Sequence, residues 1–367
     1  MTPLFARRAR RVLGVTLITF ALAGSVTAAS AQPAPIPAGL IPSADQQLSF
    51  TQDGTTAYGT LHVPAHRPGQ RLAAALLLPG SGPTDRDGNQ LPSFDPDTLR
   101  LIAGVLDQHG IASFRFDKYF SGQTGAGAYA SDPGAIDLAA FVRQADAAYR
   151  LLSRQQSVDP VRLLILGHSE GGFTSVLVAE SVWPRPAGLA LLEPQDERLL
   201  DLIDLQLGEQ LDSAVAAGKL DKSVATQNKT GMIRIIGEFR AGQPIDYTGL
   251  LPSIAQFFSE SIFNAANANY VRSDDAIYPP DVARYLAPHT RVMVTCGTAD
   301  TNVPCATTPP LLSALSAAHS TGPGLVVVPG LDHELHPAGD SGNDQILAPA
   351  AIDALTAFAE PFSASTR

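Results

Sequence analysis

A buried strand, a sharp turn and a helix follow one another in Leu163-Leu-Ile-Leu-Gly-His-Ser-Glu-Gly-Gly-Phe173. The four apolar residues at the start predict the strand, and apolar residues return at helical spacing from Phe173 onward. Between them, the pattern G-x-S-x-G in this context is typical of a nucleophile elbow. Its glycines fit because a Cβ in so tight a turn would collide with neighbouring backbone. The sequence therefore predicts Ser169 as a nucleophile, with an ordinary glycine-rich turn and a solvated serine as the alternative.

Short apolar runs alternate with helical segments on both sides of this turn. The predicted strands are residues 71–78, 111–116, 163–166, 187–192, 291–295 and 324–328, preceded by a hairpin around residues 53–54. The predicted helices between and after them are residues 98–108, 135–155, 173–180 and 346–362. This alternation predicts an α/β fold with a mostly parallel central sheet and helices on both faces. Ligands of such sheets bind beyond the carboxyl ends of the strands.

The alternation of predicted strands and helices stops between residues 195 and 279. Apolar residues in this segment repeat at helical spacing, and no convincing strand interrupts them. We interpret this segment as a helical cap inserted into a core made of residues 32–194 and 280–367. Aromatic residues of such a cap more often pack in its core than line a substrate site, and this cap has Phe257, Phe258, Phe263 and Tyr270. Phe257 and Phe258 are the two that we assign to substrate contact.

The first 31 residues have the pattern of an export signal. Four arginines precede an apolar run, and small residues end the segment at Ala31, where we predict cleavage. A permanent membrane anchor is less favoured because the apolar run is short for a bilayer. The formal net charge of −10 disfavours binding to nucleic acid or to an anionic membrane surface. We therefore expect a periplasmic or secreted protein without stable membrane association, and the oligomeric state stays open.

The chain has only two cysteines, Cys296 and Cys305. In an exported protein such a pair is expected to form a disulfide. Closing so short a loop would contribute roughly 2.7 kcal/mol in the chain-entropy model. A metal site needs more ligands than this pair offers, and redox pairs are usually closer in sequence.

A serine nucleophile needs a base within hydrogen-bond reach, usually a histidine that a carboxylate orients. Asp300 directly follows the predicted strand 291–295, and His333 follows the last predicted strand. Their order after the serine agrees with the order Ser, acid, His. His336 is the close competitor for the base, and a turn-capping aspartate is the alternative role for Asp300.

A tetrahedral intermediate also needs hydrogen-bond donors for its oxyanion. We assign these donors to the backbone N–H groups of Glu170, which follows the serine, and Ser81, in the loop after strand 71–78. Gly80 and Gly82 would let this loop approach the substrate. The loop lacks the Gly-Lys-Ser/Thr of a phosphate-binding loop, and the acidic stretch 85–89 lacks the ligands of a calcium loop. We therefore predict no metal and no cofactor, and expect salt bridges around residues 85–89.

Four motifs in order, Gly80-Ser-Gly-Pro-Thr-Asp-Arg-Asp-Gly88, Gly167-His-Ser-Glu-Gly-Gly172, Gly297-Thr-Ala-Asp300 and Asp332-His333, resemble those of exported bacterial α/β-hydrolases. The branch that they resemble is the esterase and serine-aminopeptidase-like one with a helical cap, and the resemblance covers nearly all of the chain after residue 31 except the cap. Relatives often carry Arg-x-Asp-x-Arg-Gly-x-Gly-x-Ser after the third strand. Here Tyr119-Phe120 stands where Arg-Gly is usual, and Thr124 replaces the final serine.

The sequence thus predicts a serine hydrolase of the carboxylesterase type, whose partner is a small-molecule ester with a short to medium acyl group. A peptidase or amidase with the same three residues is the first alternative, with Glu170 or a cap acid as the clamp for an amino terminus. A non-catalytic protein that binds a ligand under the cap is the second alternative. The fold alone does not separate these possibilities.

Overall fold

The computed structural model describes residues 39–339 and 345–363. The predicted signal peptide, residues 1–31, lies outside the described residues. Within the described ranges, none of the helices combines the length and the apolar character that a membrane crossing needs.

The described residues are built on one eight-stranded sheet with the strand order β1-β2-β4-β3-β5-β6-β7-β8. The strands are β1 Ala44–Gln52, β2 Thr55–Val63, β3 Leu72–Leu78, β4 Ala112–Phe116, β5 Val158–His168, β6 Gly188–Leu192, β7 Arg291–Gly297 and β8 Thr321–Val328. The β1–β2 and β2–β4 pairs are antiparallel, and the other pairs are parallel. The predicted mostly parallel sheet is confirmed. Asp53 and Gly54 form the first turn with positive φ angles of 49° and 72°, as a two-residue hairpin requires.

Ten α-helices connect or follow these strands in the described part of the chain. They are α1 Thr98–Gln108, α2 Leu138–Ser153, α3 Glu170–Ser181, α4 Leu199–Ala216, α5 Lys222–Arg240, α6 Pro252–Gln256, α7 Ala268–Asp275, α8 Pro279–Ala283, α9 Pro309–Ala317 and α10 Pro349–Ala359. A π-helical segment, Phe257–Ile262, follows α6. Helices α1 and α10 cover one face of the sheet, whereas α2, α3, α8 and α9 cover the other.

The sheet separates two apolar cores because side chains alternate along each strand. In β3, Leu76 packs with the α2 and α3 side, while its neighbour Leu77 packs with the α1 and α10 side. Leu163 and Leu164 in β5 divide in the same way. Both faces of the central strands are therefore apolar, which explains why they appear in the sequence as uninterrupted apolar runs.

The segment between β6 and β7 forms a separate helical layer, α4 to α7, which we call the cap. Its apolar side chains make a core of their own, in which Met232 and Phe258 are fully buried. Ala283 and Leu286, which follow α7, pack instead into the core beneath the sheet. The chain thus returns to the sheet layer near residue 280.

Candidate active site

The turn between β5 and α3 is very tight. Ser169 has φ 56° and ψ −124°, a left-handed conformation that is unusual for a residue with a side chain. A Cβ on Gly167 would lie 2.0 Å from the carbonyl oxygen of Gly171, and a Cβ on Gly171 would lie 2.3 Å from that of Leu78. The glycines are therefore required by close backbone contacts. The strained turn presents the Ser169 hydroxyl at the carboxyl end of β5.

Ser169, His333 and Asp300 form one continuous hydrogen-bond relay. The Ser169 Oγ lies 3.0 Å from the His333 Nε2, and the His333 Nδ1 lies 2.8 Å from the Asp300 Oδ2. Asp300 follows β7 and His333 follows β8, so two neighbouring parallel strands bring the acid and the histidine to the edge where β5 ends. The structure brings the three predicted residues together. His336, the competing histidine, is fully buried near this loop.

The loop that carries Asp300 is held from several directions. The Asp300 Oδ1 accepts hydrogen bonds from the backbone N–H groups of Asn302, at 2.7 Å, and Val303, at 2.9 Å. The predicted disulfide is present and links Cys296 to Cys305, which closes the loop on both sides of the aspartate. Burial alone would raise the pKa of Asp300, but its bonds to His333 and to the backbone outweigh burial and lower this pKa. Asp300 is therefore a carboxylate that accepts hydrogen bonds.

The surroundings of His333 suit a base. Burial alone would lower the pKa of His333, but the hydrogen bond and the charge of Asp300 outweigh burial and raise the pKa above its usual value of 6.5. Because the Nδ1 donates to a carboxylate, the Nε2 is free to accept the Ser169 proton. His168 Nε2–H also donates to the His333 carbonyl, at 2.7 Å. His168 therefore fixes the loop that carries His333.

His168, His333 and Glu334 are also a group that could hold a metal ion, because one ligand atom from each lies within 4.8 Å of the others. Both ring nitrogens of His333 are already hydrogen-bonded, and the Glu334 Oε2 accepts from the Thr98 hydroxyl at 3.1 Å. A metal ion bound here would have to replace the hydrogen bond of His333 with Ser169 or its hydrogen bond with Asp300.

The two predicted oxyanion donors lie on either side of Ser169. Glu170 is the first residue of α3, and the first N–H groups of an α-helix have no acceptor within the helix. On the opposite side, a Cβ on Gly80 would lie 3.2 Å from the Ser169 Cβ, so the loop after β3 touches the serine. Ser81 and Gly82 line the adjoining cavity. The positions of these backbone groups are compatible with the predicted role, which stays a prediction.

Salt bridges tie the stretch 85–89 to the end of β4, as the sequence analysis expects. Arg86 pairs with the buried Asp117 at 2.6 Å, and Asp87 pairs with the buried Arg115 at 2.5 Å. The Asp85 Oδ1 accepts from the backbone N–H groups of residues 87 and 89. These acidic side chains are therefore engaged within the protein and support the loop that contains Ser81.

A buried polar network that the sequence analysis missed connects the core to the cap. The Lys118 Nζ lies 3.3 Å from the Glu170 Oε1, and the Tyr270 hydroxyl donates to the Glu170 Oε2 at 2.5 Å. The same hydroxyl lies 3.4 Å from the Oδ2 of Asp274, whose Oδ1 accepts from the Gln195 Nε2 at 2.8 Å. Burial and the nearby charge of Glu170 raise the pKa of Asp274 to about 7. The spacing of Tyr270 and Asp274, one helical turn apart, is the only local sign of this network.

Glu193 is a second buried acid that the sequence analysis missed. It follows β6 directly, and its Oε2 accepts the Gly297 N–H at 2.7 Å. Burial and the charge of Asp300 raise its pKa to about 8, although the bond from Gly297 acts in the opposite direction. Glu193 thus favours the protonated form at neutral pH, and Asp300 is the acid that contacts His333.

A cavity of about 740 Å³ opens above Ser169, between the sheet and the cap. Most of its wall is apolar, and the apolar residues include Phe120, Ile136, Phe141, Leu199, Leu202, Ile203, Phe257, Ile262 and Val271. The predicted contact residues Gly82 and Phe257 lie on this wall. Gly80 instead packs against Ser169. Phe258 does not fit its predicted role, because its ring is fully buried in the cap core, where it packs against Phe257 and Phe263.

No protein-family model matches the chain, and neither does any curated protein. Solved structures do match. Est1E from Butyrivibrio proteoclasticus, in complex with ferulic acid, aligns with a TM-score of 0.53 at 15% identity, over 86% of this chain and 98% of that one. The α/β hydrolase GrgF from Penicillium sp. sh18 aligns with a TM-score of 0.52 at 17% identity, over 88% and 99% of the two chains. The butyrate-bound thermophilic esterase Est2 from Thermogutta terrifontis aligns with a TM-score of 0.52 at 15% identity, over 88% and 96%.

At these identities the likeness is one of fold, and it extends over nearly the whole length of each neighbour. The eight-stranded, mostly parallel sheet with helices on both faces agrees with this likeness. The chain therefore has the α/β-hydrolase fold.

Proposed function

We propose that the chain is a serine hydrolase that cleaves carboxylic esters with short to medium acyl groups. The observation that carries this proposal is the relay from Asp300 through His333 to Ser169, with distances of 2.8 and 3.0 Å. A serine hydroxyl becomes a useful nucleophile when a histidine of the correct tautomer can take its proton. The relay supplies this arrangement at the floor of a cavity.

The reaction proceeds in two halves. The Ser169 Oγ bonds to the acyl carbon while its proton moves to the His333 Nε2, and the oxyanion lies between the N–H groups of Ser81 and Glu170. His333 then gives the proton to the departing alcohol, which leaves an acyl-enzyme. Water attacks the acyl carbon in the same way and releases the carboxylic acid. The proposed reaction uses only protein groups and water.

The cavity supports an apolar acyl group. Its volume of about 740 Å³ lies within the range of pockets that bind small molecules, and its wall is mainly aliphatic and aromatic. Burial of each methylene of an acyl chain stabilises binding by roughly 0.8 kcal/mol, so affinity should rise with chain length until the cavity is full. Phe257, on the wall, is a candidate for limiting that length.

The peptidase alternative has less support because the predicted clamp is occupied. Both carboxylate oxygens of Glu170 are engaged, one with the Lys118 ammonium and the other with the Tyr270 hydroxyl. A substrate amino terminus would have to displace one of these partners. A non-catalytic binding role is also less supported, because binding a ligand does not require the strained conformation of Ser169 or its hydrogen bond to His333.

We also propose that the protein works outside the cytoplasm. The disulfide between Cys296 and Cys305 supports an oxidising compartment. The export pattern in residues 1–31 supports the same location.

Hydrolysis of p-nitrophenyl acetate, butyrate and octanoate by the protein from residue 32 onward tests the proposal. Turnover should be lost in Ser169→Ala and kept in Ser153→Ala, a matched control on helix α2. A fluorophosphonate probe should label the wild type and Ser153→Ala, but not Ser169→Ala.

The two measurements separate the three candidate functions. Labelling at Ser169 without ester turnover would favour the peptidase, and a panel of aminoacyl p-nitroanilides would then decide. A protein that neither turns over esters nor reacts with the probe would contradict the hydrolase proposal.

A further inference from the structure

Building on the proposed function, we propose that Lys118 is a positioning residue of the oxyanion hole. It acts through the peptide unit that joins Gly80 to Ser81. The ammonium holds the carbonyl side of this unit, and the N–H side faces the substrate.

The geometry of the peptide unit carries the argument. The Lys118 Nζ donates to the Gly80 carbonyl oxygen at 2.8 Å. That carbonyl and the Ser81 N–H belong to the same planar unit and point in opposite directions. A bond to the oxygen therefore fixes the direction of the N–H. It also polarises the unit, since hydrogen bonds in a chain strengthen one another, and a charged donor does so most.

The other donor peptide is supported in the same manner. The Ser169 carbonyl, which shares a peptide unit with the Glu170 N–H, accepts from the backbone N–H groups of Gly172 at 2.9 Å and Gln195 at 3.0 Å. Each predicted oxyanion donor thus has its carbonyl held from behind. At the start of α3, neutral backbone amides donate to the Ser169 carbonyl. In the loop after β3, the Lys118 ammonium donates to the Gly80 carbonyl.

Lys118 is itself held in place. It is 5% exposed, its Nζ lies 3.3 Å from the Glu170 Oε1, and the same Nζ lies 4.9 Å from the centre of the Phe141 ring. Tyr270, from the cap, binds the second oxygen of Glu170. The ammonium is therefore fixed between the two segments that carry the two donors.

The rest of the loop has separate support, so the effect of Lys118 is local. The next carbonyl along, that of Ser81, accepts from the Thr84 hydroxyl and from the Gln90 Nε2, both at 2.9 Å. Loss of Lys118 would leave these bonds in place. The Gly80–Ser81 unit alone would become free to turn, and a glycine on one side makes that rotation easy.

Steady-state kinetics with p-nitrophenyl butyrate test the inference in Lys118→Met, Lys118→Arg and the double variant Lys118→Met with Glu170→Gln. The double variant removes the unpaired carboxylate that the single change leaves. Lys229→Met is the matched control, because Lys229 pairs with Asp212 on the exposed side of the cap. Affinity for an alkyl trifluoromethyl ketone, which forms a tetrahedral oxyanion on the serine, is measured for every variant.

For Lys118→Met we expect kcat to fall about 100-fold, as for the loss of one oxyanion donor, with KM changed less than about threefold. Affinity for the ketone should fall in parallel with kcat/KM. The kcat of the double variant should stay low. Lys118→Arg should have a kcat at least about tenfold above that of Lys118→Met, because the charge is kept. Lys229→Met should match the wild type. If Lys118→Met does not fold, the charge-balanced double variant and Lys118→Arg decide the question.

Two results would overturn the inference. One is a kcat of Lys118→Met within about twofold of the wild type, and the other is full recovery in the double variant, which would assign the loss to the unpaired Glu170. In both cases turnover that depends on Ser169 would leave the proposed function standing. A wild type without such turnover would overturn the proposed function and this inference together.

Discussion

Replacement of Asp300 by asparagine should disable the base without disturbing the loop around it. The Asp300 Oδ1 accepts two backbone N–H groups, those of Asn302 and Val303. An asparagine can satisfy both only with its oxygen in that position, so its NH2 group must point at the His333 Nδ1. Because this group donates, the Nδ1 becomes an acceptor and the proton moves to the Nε2. His333 then donates towards Ser169 and no longer accepts its proton.

The expected loss is large. A histidine held in the wrong tautomer costs about 10⁴-fold in kcat, as the equivalent change does in serine proteases. This factor corresponds to roughly 5.5 kcal/mol of transition-state stabilisation, at about 1.4 kcal/mol for each tenfold. KM should change little, because Asp300 is not part of the cavity wall. The free energy of unfolding should also change little, since the bonds to the loop are kept.

The assay is p-nitrophenyl butyrate hydrolysis by Asp300→Asn, with Asp332→Asn as the control. Asp332 is the acid next to His333, and its Oδ1 accepts the backbone N–H groups of Glu334 and His336. We expect its amide variant to lose less than about tenfold, because the carboxylate does not contact the ring of His333. A turnover of Asp300→Asn within tenfold of the wild type would refute the reasoning, and so would an equal loss in both variants.

Three further predictions concern pH and stability. The kcat/KM of the wild type should rise with pH through a midpoint above 6.5, because His333 must be neutral to accept a proton and its pKa is raised; a midpoint below 6.5 would contradict this. The carboxyl of Asp274 has a pKa of about 7 in the folded protein and 3.8 as its usual value, so it weakens the folded state progressively as pH rises between these values. The melting temperature of Asp274→Asn should therefore rise relative to that of the wild type from pH 5 to pH 7, whereas Glu209→Gln, on the exposed side of α4, should show no such trend. Replacement of both Cys296 and Cys305 by alanine should lower the free energy of unfolding by about 2–3 kcal/mol in urea denaturation, and an unchanged midpoint would argue that the disulfide does not stabilise the fold.

Local patterns were enough to predict the sheet and the serine turn. Strands such as β3 are buried on both faces and therefore consist of an uninterrupted apolar run. Such a run can be recognised from its own residues, without knowledge of contacts distant in sequence. The observed ends of strands and helices differ from the predicted ends where a strand or helix contains polar residues or glycines. β5 begins at Val158, before the polar Asp159 and Arg162, and α3 begins at Glu170, although Gly171 and Gly172 have low helix propensity. Close packing requires both glycines there, Gly171 against the Leu78 carbonyl and Gly172 against Pro194.

The contacts between the cap and the core could not be predicted from local patterns. Tyr270 reaches Glu170 across 100 residues of sequence, and its position depends on how α7 lies over the sheet. The two adjacent phenylalanines of the cap show the same limit. Phe257 faces the cavity and Phe258 faces the cap core, at the start of a π-helical segment whose period differs from that of an α-helix. Composition and spacing do not distinguish two neighbouring residues of the same type.

The topology of the sheet explains why the site forms at this edge. The sheet order from β4 to β8 places the residues of the candidate site side by side after the carboxyl ends of the strands: Lys118, Gly80, Ser169, Glu193, Asp300 and His333. Ser169 follows a central strand, with Gly80 and Lys118 on one side and Asp300 and His333 on the other. Because every one of these residues follows a strand of the same sheet, their spacing is set by the apolar cores beneath it. The cap contributes part of the cavity wall, the core contributes the rest, and Tyr270 of the cap contacts Glu170, the residue after Ser169. Changes in the cap should therefore alter substrate choice mainly through KM, except at Tyr270, where kcat should change as well because Glu170 would lose the partner that holds it beside Lys118.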